Sequence, residues 1–298
     1  MSQTPKYSII TTCKGRWHHL VESLPAMLRQ PGAEVVVVDY DCPDGTADHV
    51  ARDFPAARVV RLKGVSGFNP SHARNSGADA AAGEVLIFVD ADVIIADSFV
   101  ATVDEALEAG TYAKPPQPKV HHENSFQGTC VVHKSDFDRV LGYDEVLRDY
   151  GGEDLELYER LIAAGVMPTI LDASVFERVI VHDQAERSRF FEKSADIGFM
   201  VGKVYRVAKD MLVRLDREAE LPLPLRQRLY DKVVQLVTNM QSMDEKELTL
   251  TVNIPDRDSH GLHRAWEFNR SVTLTVTPRQ SPERPRRPTP IDVRSLVS

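Results

Sequence analysis

The chain has 298 residues, 42% of them hydrophobic, which is enough to bury a large core. Its net charge of -8 at pH 7 argues against a general nucleic-acid-binding protein, because such proteins present a basic surface. Three scattered cysteines exclude a disulfide framework or a cysteine-based zinc site. The sequence lacks a signal-peptide pattern and an apolar run of the ~20 residues that a membrane span needs, so we expect a cytoplasmic protein.

Short runs rich in valine and isoleucine alternate with helical segments through the first hundred residues. The runs are YSIIT (7–11), AEVVVVD (33–39), ARVVRL (57–62) and EVLIFVD (84–90). Nearly all-apolar runs are typical of strands that are buried on both faces of a parallel sheet. Helices are predicted at about 17–29, 44–53, 71–82 and 99–110. This βαβαβαβ order predicts an open α/β sheet whose ligands bind beyond the carboxyl ends of its strands.

Two carboxylates, Asp90 and Asp92, follow the last residues of the fourth run. Residues two apart on an extended segment project to the same side, so both acids could face one ligand. Two close carboxylates repel each other unless a cation compensates, and Mg²⁺ or Mn²⁺ would also bridge phosphate oxygens. The alternative is that both acids are solvated in a loop.

Asp39 and Arg74 lie in comparable places, at or just after other predicted strands. A carboxylate at the position of Asp39 typically accepts a hydrogen bond from a ribose hydroxyl or a base N–H. Capping of the helix near 44–53 is the alternative, and it fits Asp41 and Asp44 better. Arg74, at the start of the Ala-rich helix, could reach a diphosphate or the neighbouring acids, or it could be a surface arginine.

Acids and histidines beyond the first sheet suggest further chemistry. The segment GGED places Glu153 and Asp154 in the first turn of a predicted helix, where the helix dipole favours carboxylates. This placement is typical of helix capping, and it also suits a general base that takes a proton from an acceptor hydroxyl. The predicted strand in SVFERVIVHD ends near His182, which is either structural or a metal ligand. His18 and His19 are predicted to be solvated at a helix start.

The C-terminal third shows two long helical patterns, at 185–215 and 223–242. The runs ELTLTVNIP and SVTLTVTP follow and could pair as a hairpin around a polar excursion. The last 21 residues contain five prolines and five arginines, and we expect them to be flexible. The long helices could form a homodimer interface or lie on a membrane surface, and their periodicity does not decide between these.

These pieces, in this order, resemble family 2 glycosyltransferases of the GT-A fold. The resemblance covers about 6–183 and rests on SIITTCKGRWHHLVESL, EVVVVDYDCPDGT, HARNSGADAAAGEVLIFVDADV and GTCVVHKSDFDRVLGYDEVLRDYGGEDLELYERLIAAG. The stretch GYDEVLRDYGGEDLELYERL is also similar to the acceptor-side motif of β-1,4-galactosyltransferases and polypeptide N-acetylgalactosaminyltransferases.

The resemblance implies an α/β fold: a Rossmann-like, mixed but mostly parallel sheet that is flanked by helices. The implied catalytic domain is 1–183, with a nucleotide-binding half, 1–110, and an acceptor-side half, 111–183. A helical extension with a possible hairpin would follow at 184–277. The tail would be 278–298.

The resemblance also implies the roles of individual residues on the donor side. Four would lie at the nucleotide or the donor sugar: Thr11, Asp39, Arg74 and Asp90. Asp92 and His182 would bind Mn²⁺ or Mg²⁺ at the diphosphate. The expected partner is a nucleoside-diphosphate sugar, with a UDP-sugar as the first candidate and no nucleic acid.

On the acceptor side, the resemblance implies that Asp154 is the catalytic base of an inverting displacement. Glu153 and Gly152 would contact the substrate. Tyr150 stands where galactosyltransferases often carry a tryptophan, which leaves the donor sugar open. The acceptor would be a carbohydrate, a lipid-linked molecule or a small molecule, and a lipid-linked acceptor would bring the protein to a membrane surface.

Two other functions remain alternatives at this stage. LIFVDADVI resembles the nucleophile motif of haloacid-dehalogenase-type phosphatases, although that motif normally lies on the first strand and three strands precede it here. A catalytically silent, transferase-like binding module is the second alternative. A dinucleotide oxidoreductase is excluded because no G-x-G-x-x-G follows the first strand.

Overall fold

The structure, a computed structural model, describes residues 5–117, 126–216, 220–243, 248–254 and 270–276. It divides into two compact units, Met1–Val234 and Gln235–Ser298. All of the predicted site residues lie in the first unit, which extends beyond the predicted domain boundary at 183.

The elements of the first half are β1 (Tyr7–Cys13), α1 (Trp17–Leu28), β2 (Ala33–Tyr40), α2 (Thr46–Asp53), β3 (Arg58–Leu62), α3 (Pro70–Ala80), β4 (Val85–Phe88), β5 (Val93–Ile95), α4 (Phe99–Ala106) and β6 (Thr111–Lys114). Those of the second half are β7 (Cys130–His133), α5 (Lys134–Arg139), α6 (Glu153–Ala163), β8 (Met167–Ile170), β9 (Phe176–Val179), α7 (Gln184–Ser188), α8 (Ala195–Asp216), α9 (Leu223–Met243), β10 (Leu248–Ile254) and β11 (Arg270–Val276).

The central sheet has seven strands in the order β3-β2-β1-β4-β7-β6-β8. β1 pairs in parallel with β2 and β4, β2 with β3, and β6 with β8, whereas β7 runs antiparallel to both of its neighbours. The predicted mixed, mostly parallel sheet is therefore confirmed. The parallel order places the ends of β1, β2 and β4 at one edge, which is where ligands bind in such sheets.

Two hydrophobic layers cover the sheet, because successive residues of each buried strand point to opposite faces. Ile9 of β1 belongs to the layer that contains Leu20 and Leu24 of α1. Ile10, its neighbour in the chain, belongs to the layer that contains Ala73 of α3 and Leu157 of α6. The strands are apolar throughout because both faces are covered, as the sequence pattern indicated.

The prediction of one long helix over 185–215 is wrong. α7 ends at Ser188 and α8 begins only at Ala195. The chain between them places Phe191 against Phe68, at 5.8 Å between ring centroids, and against Tyr150, at 5.5 Å. These aromatic contacts, made by a segment that interrupts the helical pattern, are tertiary and leave no trace in local periodicity.

The predicted hairpin is confirmed, since β10 and β11 pair antiparallel from Leu248↔Val276 to Ile254↔Arg270. The polar excursion between the strands and the tail at 278–298 lie outside the described residues. Within the described part of the chain, no helix combines the length and apolar character that crossing a bilayer requires.

A buried network of charges attaches α8 and the first turns of α9 to the sheet-bearing part of the first unit. The ammonium group of Lys209 on α8 lies 2.9 Å from Asp144, 2.7 Å from Glu156 and 2.6 Å from Glu220. Arg160 and Arg226 complete the network on Glu156 and Asp144, so three cations meet three anions. The first part of the C-terminal extension is thus bound to α6 by ion pairs, which the sequence did not indicate.

Candidate active site

Arg74 brings four of the predicted site residues together. It is buried on α3, and its guanidinium lies 3.1 Å from Asp90, 3.0 Å from Glu153 and 3.5 Å from Asp154. The same group lies over the ring of Tyr143, 5.2 Å from the ring centroid. The predicted alternative of a surface arginine is therefore wrong. One cation faces three carboxylates, so the site carries an excess of negative charge.

The burial of the site and this excess of negative charge both raise the pKa of Asp154. Burial raises the pKa of Asp154 to about 7; Arg74 opposes the rise, and the nearby charges of Glu153 and Asp90 add to it. The Tyr143 hydroxyl donates a hydrogen bond to Asp154 at 3.3 Å. The Asp154 side chain remains 19% exposed, so a ligand could still reach it. A carboxylate with a pKa near the working pH suits general base catalysis.

Asp90 occupies a confined position between Arg74 and the segment before β7. Burial raises the pKa of Asp90, Arg74 opposes this, and Asp92 reinforces it. A Cβ atom on Gly128 would lie only 1.9 Å from a carboxylate oxygen of Asp90. Glycine at position 128 therefore leaves the space that the Asp90 carboxylate fills, a contact that the sequence did not reveal.

Asp92 and His182, the two predicted metal ligands, are in direct contact. His182 Nε2 lies 2.7 Å from Asp92 Oδ2. Arg16 Nη1 lies 3.3 Å from the same oxygen and 3.4 Å from His182 Nε2. Burial favours a raised pKa for Asp92, but the hydrogen bond with His182 and the charge of Arg16 hold the pKa below its usual range. Sequence reasoning missed Arg16, whose only signal was its place in the loop after β1.

The chemistry of these side chains fits a divalent cation. A carboxylate oxygen and an imidazole nitrogen converge on one point, and Mn²⁺ accepts both types of ligand. Asp92 and His182 would hold the ion, and Asp90 lies on the other side of Ala91. Arg16 already pairs with the Asp92 carboxylate, so an ion held there would share that carboxylate with the guanidinium or displace it.

Asp39 accepts hydrogen bonds from the protein backbone, which was not expected of this residue from the sequence. Its two carboxylate oxygens accept hydrogen bonds from the backbone N–H of Cys42 and of Ala47, both at 2.7 Å. Asp39 therefore caps α2, and the assignment of that cap to Asp41 and Asp44 is wrong. Asp44 instead accepts from the Trp17 N–H at the start of α1, at 3.2 Å.

Asp41 accepts from the Gly64 N–H, at 3.1 Å. Thr11 is also internal: its hydroxyl is buried and has no hydrogen-bond partner among the described residues. Thr11 shares the face of β1 that carries Ile9 and Cys13, towards α1. The nucleoside contacts predicted for Thr11 and Asp39 stay predictions. Both residues are buried, so little of either side chain is accessible to a ligand.

His19 also departs from the prediction of a solvated helix start. His18 is exposed as expected, but the His19 side chain is only 4% exposed, and burial lowers the pKa of His19. The His19 ring stacks on His182, with 5.6 Å between the centroids. The His19 ring therefore belongs to the surroundings of the Asp92–His182 pair.

The two glycines before Glu153 pack directly on the backbone of α8. Gly151 and Gly152 both have positive φ, 88° and 103°. A Cβ on Gly152 would lie 3.2 Å from Gly202 Cα, and a Cβ on Gly202 would lie 2.6 Å from the Gly151 carbonyl oxygen. A Cβ on Gly198, one turn earlier on α8, would lie 2.5 Å from the Tyr150 carbonyl oxygen. The substrate contact predicted for Gly152 stays a prediction, whereas its packing on α8 is direct.

We expect Gly202→Ala to lower turnover by about 10- to 100-fold, because a new methyl group would push Gly151 and hence the first turn of α6 out of position. Steady-state kinetics and a thermal melt check this, with Lys203→Ala on the exposed face of α8 as the control. Wild-type kinetics for Gly202→Ala would contradict the inference that α8 sets the position of Glu153 and Asp154.

Comparisons with known families agree with this arrangement. Residues 8–128 match the model of glycosyl transferase family 2, and residues 109–183 match the model of the N-terminal domain of galactosyltransferase. The first match contains Arg16, Arg74, Asp90 and Asp92, and the second contains the GGED segment and His182.

One relative is the mouse (Mus musculus) N-acetyl-beta-glucosaminyl-glycoprotein 4-beta-N-acetylgalactosaminyltransferase 1, which is 28% identical over 148 residues. The match covers 44% of this chain and only 14% of the length of that relative.

Solved structures resemble the chain in fold. S. aureus TarS 1–349 in complex with UDP-GlcNAc has a TM-score of 0.54 at 17% identity, covering 80% of this chain and 73% of that one. Mannosyltransferase PcManGT from Pyrobaculum calidifontis, in complex with GDP-Man and Mn²⁺, has a TM-score of 0.52 at 16% identity, covering 82% and 73%. Residues 8–128, less than half of the chain, thus resemble the family 2 glycosyltransferases, and the fold of the chain is the GT-A fold.

Proposed function

We propose that the protein transfers a sugar from a nucleoside-diphosphate sugar, with a UDP-sugar as the first candidate, to an acceptor hydroxyl with inversion. The observation that carries this proposal is the position of Asp154, a partly exposed carboxylate with a pKa of about 7, beside the Arg74 cluster. An inverting displacement needs one base on the acceptor side and no protein nucleophile. Asp154, which follows Glu153 in the chain, would act as this base.

Arg74 and Arg16 have different electrostatic roles in this proposal. Arg74 is buried among Asp90, Glu153 and Asp154, so its charge offsets part of their negative charge and keeps them close together. Arg16, at the Asp92–His182 pair, is the cation better placed to meet a diphosphate. A Mn²⁺ or Mg²⁺ ion held by Asp92 and His182 would add charge neutralisation of the leaving group.

In the proposed reaction, Asp154 takes the proton of the acceptor hydroxyl as its oxygen attacks the anomeric carbon. The bond from that carbon to the diphosphate breaks, and the electron pair leaves with the nucleoside diphosphate. The hydrogen bond from Tyr143 fixes the orientation of the Asp154 carboxylate. Arg16 offers the departing phosphate oxygens a positive charge that is already in place, which lowers the cost of the charge that develops there.

The choice of donor and metal is supported by resemblance and needs an experiment. The TarS structure contains UDP-GlcNAc, and the PcManGT structure contains GDP-Man and Mn²⁺. The mouse relative is named as an N-acetylgalactosaminyltransferase. These names favour a sugar nucleotide with a divalent cation, and they leave both uridine and guanosine donors to be tested.

A thermal-shift panel of nucleoside diphosphates and sugar nucleotides, each with Mn²⁺ or with chelator, tests the donor site. At ~100-fold excess over Kd a ligand stabilises the folded state by about 2.7 kcal/mol, so one nucleotide class should raise the Tm clearly. We expect the shift to disappear with chelator and in Asp92→Asn, and to persist in the control Asp97→Asn, an exposed acid beyond β5. An equal shift in Asp92→Asn would remove Asp92 from the donor site.

Enzymatic assays separate the transferase from the alternatives. Transfer of sugar to any acceptor, or slow hydrolysis of the donor, supports the proposal. Phosphate release from an aryl phosphate would support the phosphatase alternative, and nucleotide binding without turnover would support a silent binding module. A cytoplasmic location, a lipid-linked acceptor and a homodimer through α8 and α9 stay proposals, which fractionation and light scattering would test.

A further inference from the structure

Three side chains of metal-ligand type meet beside the donor site without belonging to it. His18 and His19 lie in the first turn of α1, and Glu186 lies on the short helix α7. One ligand atom from each residue lies within 4.8 Å of the other two. The residues come from chain segments more than 160 positions apart, so the fold and not local sequence brings them together.

The distances from Glu186 to the two histidines match those between neighbouring ligands in a tetrahedral metal site. Glu186 Oε1 lies 3.1 Å from His18 Nε2 and 3.5 Å from His19 Nε2. In a tetrahedral Zn²⁺ site with bonds of about 2.0–2.1 Å, neighbouring ligand atoms lie about 3.3 Å apart. Glu186 and each histidine are therefore already at the spacing of neighbouring ligands on one ion, and the third distance is within 4.8 Å.

The hydrogen bonding of Glu186 also indicates that the cluster has room for a ligand. The Glu186 Oε1 atom is buried and accepts no well-aligned hydrogen bond among the described residues, although His18 Nε2 and His19 Nε2 lie 3.1 Å and 3.5 Å from it. A buried carboxylate oxygen without a donor is costly, because it has lost its hydration without replacement. A cation between the three groups would remove that cost.

We propose that His18, His19 and Glu186 form a binding site for a divalent transition metal of the zinc class, separate from the cation expected at Asp92 and His182. Two imidazoles and one carboxylate favour Zn²⁺, Co²⁺ or Ni²⁺ over Mg²⁺, which prefers oxygen ligands. The His18 side chain is 60% exposed, so an ion can enter from solvent and retain a water molecule as its fourth ligand.

Such an ion would fasten α7 to α1 next to the donor site. α7 is followed at once by Phe190, whose ring lies so close to Gly15 that a Cβ there would be 2.2 Å away. The ammonium group of Lys14 lies 5.7 Å from the centroid of the same ring. The metal would therefore hold the Phe190 segment over the loop that follows β1. This inference does not depend on the identity of the donor.

Cobalt titration of the metal-free, full-length protein tests the site, because four-coordinate Co²⁺ shows a visible absorption that Mg²⁺ and Mn²⁺ sites do not supply. Without nucleotide, we expect wild type to bind one Co²⁺ with this absorption and Zn²⁺ to displace it. Glu186→Gln and His18→Ala should each weaken binding by at least ~10-fold, since even the loss of an outer-shell partner costs that much. His18 is exposed, so its replacement does not threaten folding.

Two further variants separate this site from the donor site. Asp92→Asn and the control Glu177→Gln, an exposed acid on β9, should both keep the Co²⁺ absorption. Zn²⁺ should also raise the Tm of wild type and Asp92→Asn, but not that of Glu186→Gln. The proposal is overturned if wild type binds no Co²⁺, if Glu186→Gln binds it as wild type does, or if Asp92→Asn abolishes it. Donor binding with Mn²⁺ is measured separately, so its failure would leave this result unaffected.

Discussion

Asp154→Asn is expected to lower kcat by about 10²- to 10⁴-fold while donor binding stays at the wild-type level. Asparagine keeps the shape of the side chain and can still accept the hydrogen bond from Tyr143, but it cannot take a proton. The donor cation is assigned to Asp92 and His182, which the substitution does not touch. Turnover and nucleotide Kd, measured side by side, check this split.

The pH dependence of the wild-type enzyme gives a second readout of the same group. Because the pKa of Asp154 is raised to about 7, the proposed base is protonated below that pH, and kcat/KM should fall as the pH drops through 7. Stability responds in the opposite sense. The folded state binds a proton more tightly than the unfolded state, so the raised pKa costs stability as the pH rises from about 4 to about 7.

Asp154→Asn removes this titration, so its Tm should gain on that of wild type as the pH rises through the same window. Glu159→Gln, on the exposed side of α6, serves as the control and should leave both kcat and the pH profile unchanged. Wild-type turnover in Asp154→Asn would show that another group is the base. A pH profile that is flat through 7 would show that the raised pKa does not govern the reaction.

Lys209→Met is expected to reduce the free energy of unfolding by about 3–5 kcal/mol, a large part of the stability of a typical domain. Lys209 is only 4% exposed, and Asp144 and Glu156 are buried with it. Methionine fills a similar volume, but it leaves one anion in excess, since three anions would share two arginines. Denaturant unfolding with a common m-value measures the loss.

Neutralising one of the anions should reverse part of this effect. Lys209→Met combined with Glu156→Gln restores the balance of charge, so the double variant should be more stable than Lys209→Met alone. Lys232→Met on α9 is the control, since that residue lies on the exposed side of its helix. If Lys209→Met unfolds at the wild-type denaturant concentration, the network contributes no net stability.

The sequence predicted the first four strands and the charged residues near their ends for a physical reason, whereas β5, β6 and β8 were not predicted. Strands buried on both faces must be apolar, so a charged residue at such a strand's end, such as Asp90, is conspicuous. The order of parallel strands then brings these ends to one edge. The meeting of Asp90, Glu153 and Asp154 at Arg74 follows from that geometry and from the GGED motif.

The remainder of the site depends on contacts that no local pattern encodes. Nothing in the sequence distinguishes Arg16 from other basic residues. Only the fold places it against Asp92 and His182. The cap of α2 was assigned to the wrong aspartates because three of them lie near the start of that helix, and only the backbone path shows that Asp39 meets the Ala47 N–H. Gly198 and Gly202, spaced one turn apart, carried the one signal that could have revealed the close approach of α8.

The contact between α8 and the two glycines of the acidic motif bears on how this protein can be divided. The second family match ends at residue 183, whereas α8, which lies against Gly151 and Gly152, begins only at Ala195. A fragment cut at the family boundary would expose the backbone beside Glu153 and lose the ion pairs of Asp144 and Glu156 with Lys209. The smallest portion that preserves the catalytic geometry therefore includes α8 and the start of α9, so recombination with related enzymes has to exchange these helices together with the acidic motif.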